Sequence, residues 1–397
     1  MSFSKMALSL LLTVAALGTL SAEEFRIGII GTTTSHVPAA VDLINSDNPA
    51  FEGFRVTAAY PGGMPDNPDS WGRVEKYADH CRQAGLTIYS TIEEMLLNVD
   101  GVMLESVDGR PHLEQAKPVL AAGKPLFIDK PIAGSLFDCL ELFRLADEAG
   151  VEIFSSSSLR YGAETQRFRN EKPLGEILGV DAASPCALDS HHPDFYWYGV
   201  HGVEILFTLM GPGCQSVSRT QTADQEMAVG TWEGGRIGTF RGMRAVYNYN
   251  ATVFCQNGIG SCGTYDGYEP LFVEVCRFFS TGKSPIPAEE TKEMFAFMSA
   301  ADESKAQNGA SVKLADCIDR ALSQKRVTVD VVFSQDGSFT WDGQPSSLED
   351  AEARLKAAGS DDTLIRVILN NRAGAPVEQV QLLMEKLDGA YFANYLY

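Results

Sequence analysis

Between residue 25 and about residue 151, short apolar runs alternate with stretches of helical period. Runs at 25–31, 54–60, 86–89, 101–105, 125–128 and 151–154 read as strands, and 36–46, 70–84, 92–97, 111–122 and 135–149 as helices. Short strands separated by helices need crossover connections, so this part predicts an α/β domain with a doubly wound parallel sheet. The period then changes. From 174 to 265 the chain is β-rich with glycine turns such as TWEGGRIGTF, and helical stretches follow at 267–280 and 287–307, which predicts an α+β domain. In the tail, RVTVDVVFSQDGSFTW reads as two strands about an Asp336-Gly337 turn, and a helix (347–358), a strand (363–369) and a helix (376–387) come after it, making a small α/β tail domain. The expected boundaries are 23–154, 155–314 and 326–397.

The first 22 residues are of another kind. Lys5 gives a positive start, residues 6–20 are uncharged and mostly apolar, and Ser21-Ala22 is a small-residue exit. That is the form of a secretory signal peptide over 1–22, shorter than the roughly 20 apolar residues of a spanning helix. An exported protein, periplasmic or extracellular, with no membrane attachment after cleavage is the expectation; an uncleaved anchor is the alternative. The balance of 32 Lys plus Arg against 52 Asp plus Glu gives a net charge of -20, the wrong sign for nucleic acid or anionic lipid. The eight cysteines are scattered without C-x-x-C spacing and read as buried thiols, Cys255 and Cys262 being the pair best placed for a disulfide if one forms.

The segment FRIGIIGTTTSHVPAAVDLI sets a strand, a glycine, small hydroxyl residues and an amphipathic helix in succession, with Ser35 as the expected N-cap. Free N–H groups at a helix start beside a parallel sheet suit an anionic diphosphate. Gly31 takes the first place of G-x-G-x-x-G, while Thr33 and His36 stand at the second and third. Thr33 either pushes a ligand outward or gives it a hydroxyl. The second strand ends in Tyr60 instead of a ribose-binding acid.

Residues 26–314 resemble the Gfo/Idh/MocA oxidoreductases. The run DGVMLESVDGRPHLEQAKPVLAAGKPLFIDKPIA is similar to that family's strand, turn, His, helix, Gly-Lys, strand and Glu-Lys-Pro, here Asp129-Lys130-Pro131 with His112 before the helix. In WYGVHGVEILFTLMG, Gly199, His201 and Gly211 match, with Trp197 and Glu204 at two aspartate positions. The resemblance implies a Rossmann-type domain followed by a domain with an open, mainly antiparallel sheet. It also implies hydride transfer between NAD or NADP and a sugar-like polyhydroxy small molecule, and homo-oligomers paired through the open sheet. Lys130 and His201 are then the catalytic residues. Gly31, Thr32, Thr33, Thr34, Ser35, His36, Ser106, His112, Asp129 and Lys130 are then the cofactor-binding set. A base near neutral pKa suits proton removal from a hydroxyl; the plain alternatives are a Lys130 paired at a turn and a satisfied core histidine.

The stretch SPCALDSHHPDFYWYGVH offers His191, His192, Asp194 and Tyr198 as a substrate loop, with hydroxyl-binding polar groups and a stacking ring. Adjacent histidines do not converge on one ion, so no metal is expected there. Ser155 to Ser158 either line the cleft or form a polar junction. Residues 326–397 resemble the soluble ExbD/TolR domain in their order of elements, as an adaptor or dimerisation module or as an embellishment packed on the rest. Free nicotinamide nucleotide is scarce outside the cytoplasm, so an exported enzyme of this kind needs a retained cofactor. A carbohydrate-binding or scaffold protein on a degenerate dehydrogenase fold is the second reading.

Overall fold

The structure is a computed structural model describing residues 24–358, 363–387 and 389–396; the expected signal peptide lies outside them. The first sheet holds β1 (Phe25–Ile30), β2 (Phe54–Tyr60), β3 (Thr87–Ile88), β4 (Gly101–Leu104), β5 (Leu126–Asp129) and β6 (Ile153–Ser156). All its pairs are parallel, in the order β3-β2-β1-β4-β5-β6. The order reverses between β1 and β4, which opens a crevice at the carboxyl ends of those strands. Local chemistry fixes the intervening helices: Ser135 Oγ accepts from Asp138 N at 3.1 Å to start Leu136–Ala149, and Gly150 at φ 64° ends it. The expected Ser35 cap is not made. Ser35 lies at φ -65°, and it is Thr34 Oγ1 that accepts from His36 N, at 3.3 Å.

The second sheet comprises β7 (Ile177–Pro185), β8 (Cys214–Gln221), β9 (Gln225–Trp232), β10 (Ile237–Met243), β11 (Asn250–Cys255), β12 (Gly258–Cys262) and β13 (Val312–Lys313). Its order is β12-β11-β7-β10-β9-β8-β13, antiparallel except for β7 with β10. Helices Val200–Met210 and Ala288–Ala306 cover one face. Helix Glu269–Thr281 returns to the first sheet and buries Phe272, Phe278 and Phe279 in the same core as Phe127 and Phe154. At ~25 cal/mol per Å² of apolar area, rings of this size hold the two halves together. All eight cysteines are buried free thiols. Cys255 and Cys262 do not face each other, because the hairpin register pairs Cys255 with Gly258 and Cys262 with Ala251.

The tail forms a third sheet of β14 (Lys325–Phe333), β15 (Phe339–Trp341), β16 (Gln344–Ser346), β17 (Thr363–Asn370) and β18 (Tyr391–Leu396), in the order β16-β15-β14-β17-β18. The strand β16, after a second turn at Asp342 and Gly343, is an addition to the sequence reading. This module seats on the first: Arg366 pairs with Asp138 at 2.5 Å, Tyr391 Oη donates to Asp138 at 2.6 Å, and Met64 joins the tail's own core.

Candidate active site

The carboxyl ends of β1, β4 and β5 carry Gly31, Glu105 and Asp129-Lys130 into the crevice, and the helix His36–Ile44 brings His36 to the same place. His36 Nδ1 approaches Asp129 Oδ2 to 2.7 Å. Burial works to raise Asp129, but His36 and then Lys130 outweigh it and hold the carboxyl below its ordinary range. Glu105 is 0% exposed, and burial, with Asp129 beside it, pushes its carboxyl well above the ordinary value. In the sequence Glu105 shows only as a charged residue closing an apolar strand, with nothing local to mark its enclosure.

Lys130 is 7% and His201 5% exposed. The π-helical turn Phe195–Gly199, an element absent from the sequence reading, carries Tyr198 and leads into the helix of His201. The Tyr198 ring lies 5.6 Å from Lys130 Nζ and 5.0 Å from the His201 ring, and Tyr249 Oη donates to Tyr198 Oη at 3.4 Å. Ser157 Oγ lies 2.7 Å from His201 Nδ1, so the serine run reaches the cleft at that residue. Burial lowers the Lys130 ammonium, and burial, then Lys130 and His36 nearby, hold His201 well below its usual value. The result is a neutral imidazole beside a buried amine. Tyr268 closes the far side, its ring 4.5 Å from that of His36 and its hydroxyl 3.4 Å from Ser35 Oγ.

The remaining expected residues divide in two. Ser106, Thr32 and His112 brace the crevice: Ser106 Oγ donates to Gln115 at 2.9 Å, Thr32 Oγ1 donates to the Val74 carbonyl at 3.0 Å, and the His112 ring bridges the Ser106 and Ile132 carbonyls at 2.8 and 3.2 Å. His191, His192 and Asp194 belong elsewhere. His192 sits between Asp108 (3.0 Å) and Asp189 (2.9 Å), His191 is 3.2 Å from Asp189, and Asp194 is held by Arg219 at 2.5 Å and Lys305 at 2.6 Å. Of the expected substrate loop, the structure brings only Tyr198 to Lys130. Glu204 is likewise committed, to Arg160 at 2.5 Å. A groove of about 810 Å³ lies apart from Lys130, where Asp66, Arg110 and His191 meet Gln381 and Met384 of the tail.

A dinucleotide fits the phosphate loop and the nicotinamide end. Gly31 has φ 84°, and a Cβ there would lie 2.3 Å from Ser106 Oγ, so this position needs glycine. Thr33 folds back onto the sheet, its Oγ1 accepting from Val107 N at 2.8 Å, which takes the side chain out of a diphosphate's path. The adenosine end fits less well. Tyr60 is buried, Asp66 is taken by both terminal nitrogens of Arg110 at 2.8 Å, and Gln381 of the tail donates to the Pro65 carbonyl at 2.7 Å.

Residues 25–157 match the model of the Gfo/Idh/MocA family, described as an oxidoreductase family with an NAD-binding Rossmann fold. They form a Gfo/Idh/MocA oxidoreductase domain. The chain is 27% identical over 189 residues to the uncharacterized oxidoreductase YhhX of Escherichia coli, a match over 41% of this chain and 54% of that protein, so the chain spans about half of that relative's length. Among solved structures, a probable dehydrogenase from Thermotoga maritima has a TM-score of 0.61 at 17% identity, over 74% of this chain and all (100%) of that one. Scyllo-inositol dehydrogenase from Lactobacillus casei, solved with NAD(H) and scyllo-inositol, has a TM-score of 0.57 at 15% identity, over 74% and 99%. These likenesses show the fold. The ExbD/TolR resemblance of the tail has no counterpart among these matches.

Proposed function

From a Gfo/Idh/MocA domain with these groups at its sheet edge, we propose an NAD- or NADP-dependent oxidoreductase acting on a hydroxyl of a sugar-like polyhydroxy compound. The observation that carries this reading is that buried Lys130, at the carboxyl end of β5, and a buried, neutral His201 both lie against the Tyr198 ring. The loop 31–36 and Asp129 would hold the cofactor, which when bound supplies the hydride acceptor at its nicotinamide. His201, with Nδ1 engaged by Ser157, takes the hydroxyl proton at Nε2. Lys130 Nζ donates to the reacting oxygen and stabilises charge developing on it, in a setting where burial strengthens the interaction. Tyr198 offers its ring as a platform for a sugar face. The dehydrogenases among the structural likenesses, one solved with scyllo-inositol, support this substrate class.

Export through residues 1–22 and a homo-oligomer paired through the second sheet belong to the same proposal. An ExbD/TolR-like adaptor role for 326–397 rests on its order of elements. A full chain purified from its host and unfolded in acid is expected to release a nucleotide absorbing near the nicotinamide band. Lys130→Met and His201→Gln are expected to lower inositol- or hexose-dependent reduction of NAD by about 10²–10⁴ while leaving the circular dichroism unchanged. No released nucleotide, together with no binding at millimolar NAD or NADP, would leave a carbohydrate-binding protein on the same fold.

A further inference from the structure

Two carboxylates and an imidazole meet at the sheet edge, and the hydride-transfer reading, which places His36 and Asp129 beside the cofactor, gives Glu105 no part. His36, Glu105 and Asp129 each offer one ligand atom, and these atoms lie within 4.8 Å of one another, all three residues being buried. Both oxygens of Glu105 lack a hydrogen-bond partner, and the residue is fully enclosed. His36 Nδ1 and Asp129 Oδ2 are close, yet neither atom completes a hydrogen bond of acceptable angle. Buried polar atoms without partners are rare, and an ionised carboxylate left so is costly. The cation facing both acids is Lys130.

We propose that His36, Glu105 and Asp129 bind one divalent transition-metal ion, zinc in the first instance. Imidazole nitrogen with carboxylate oxygen is a donor set that zinc accepts, and three protein ligands leave one tetrahedral position for water or an exogenous ligand. A tetrahedral ion with bonds near 2.0 Å has its ligand atoms about 3.3 Å apart, so small side-chain rotations close the trio around it. The ion supplies partners to the Glu105 and Asp129 oxygens at once. It also gives an anionic ligand a positive anchor at the sheet edge.

The test uses the full chain stripped with a chelator, dialysed, and titrated with ZnCl2 by calorimetry and with CoCl2 by visible absorption. One ion per chain is expected, with the intense visible bands of four-coordinate cobalt. Glu105→Gln and His36→Gln are each expected to weaken zinc binding by about tenfold or more. Asp189→Asn, which alters the separate His191 and His192 cluster, is expected to leave it unchanged. Glu105→Gln keeps the shape of the side chain and removes the carboxylate ligand, and thermal melting checks that it folds. Less than about a tenth of an ion per chain would overturn the proposal and leave a proton shared between Glu105 and Asp129 as the occupant. Binding lost in Asp189→Asn and kept in Glu105→Gln would overturn it equally. NADH fluorescence titration of the stripped protein is scored separately, so the metal site and the dinucleotide reading can fail independently.

Discussion

Arg366→Met isolates the contact that seats the tail on the first sheet. In the native chain the guanidinium of Arg366 and the carboxyl of Asp138 are both buried and 2.5 Å apart, with Tyr391 Oη 2.6 Å from the other carboxyl oxygen and Glu114 3.4 Å from the guanidinium. Removing the arginine strands Asp138 with one hydroxyl partner, and breaking a buried pair from one side costs about 3–5 kcal/mol. With a urea slope of about 1–3 kcal/mol/M, that loss moves the unfolding midpoint of the tail by about 1 M or more. Tryptophan fluorescence is the assay, since Trp341 lies in the tail's core and Trp71 packs its ring 5.6 Å from that of Tyr395. Burial already raises Asp138 against the pull of Arg366, so in the variant a proton can neutralise the stranded acid, and the deficit is smaller at pH 5 than at pH 8. The double variant Arg366→Met with Asp138→Leu removes both charges and is expected to regain most of the loss. A midpoint shift below about 0.2 M, or a double variant no better than the single one, would refute the reasoning.

Gly31→Ala and Gly53→Ala share φ 84°, but only the first puts a Cβ against Ser106 Oγ (2.3 Å) and N (2.6 Å), the second meeting nothing within 4 Å. Both pay about 1–2 kcal/mol of left-handed strain, and thermal melting should show a further loss in Gly31→Ala alone, with nucleotide binding lost as well. Thr33→Val keeps the shape and orphans Val107 N–H, which is expected to cost about 1–3 kcal/mol in chemical denaturation. His201 is held well below 6.5 by burial, Lys130 and His36, so between its native value and 6.5 the unfolded chain binds the extra proton. Its contribution to stability is therefore complete above pH 6.5 and falls as the pH drops below it. The pH profile of kcat/KM should show no acid limb near 6.5; a limb there that vanishes in His201→Gln would contradict a neutral buried base.

Strand and helix positions of the first sheet were readable because both periodicities are strong there and each apolar run is bounded by turn residues: β2 was expected at 54–60 and lies at Phe54–Tyr60. The π-helical turn Phe195–Gly199 was not readable, since its five residues carry neither period long enough to register. His191, His192 and Asp194 looked like a substrate loop because a sequence shows polar groups without their partners. Asp108, Asp189, Arg219 and Lys305, which claim them, come from other parts of the chain. Glu105 was overlooked for the converse reason: its isolation in the interior is visible only once the strands beside it are in place.

The order of apolar runs and glycines by itself determined a doubly wound parallel sheet and the placing of Gly31, Asp129 and Lys130 at strand ends, since those features follow from local period and the need for crossover connections; the strand order, with its switch point between β1 and β4, came from the tertiary structure. Tertiary structure decided which charged groups stand free and which are satisfied. Burial and pairing depend on residues distant in sequence, and they alone made His201 a neutral imidazole, tied Asp66 to Arg110, seated the tail on Asp138, and left Glu105 enclosed beside Asp129.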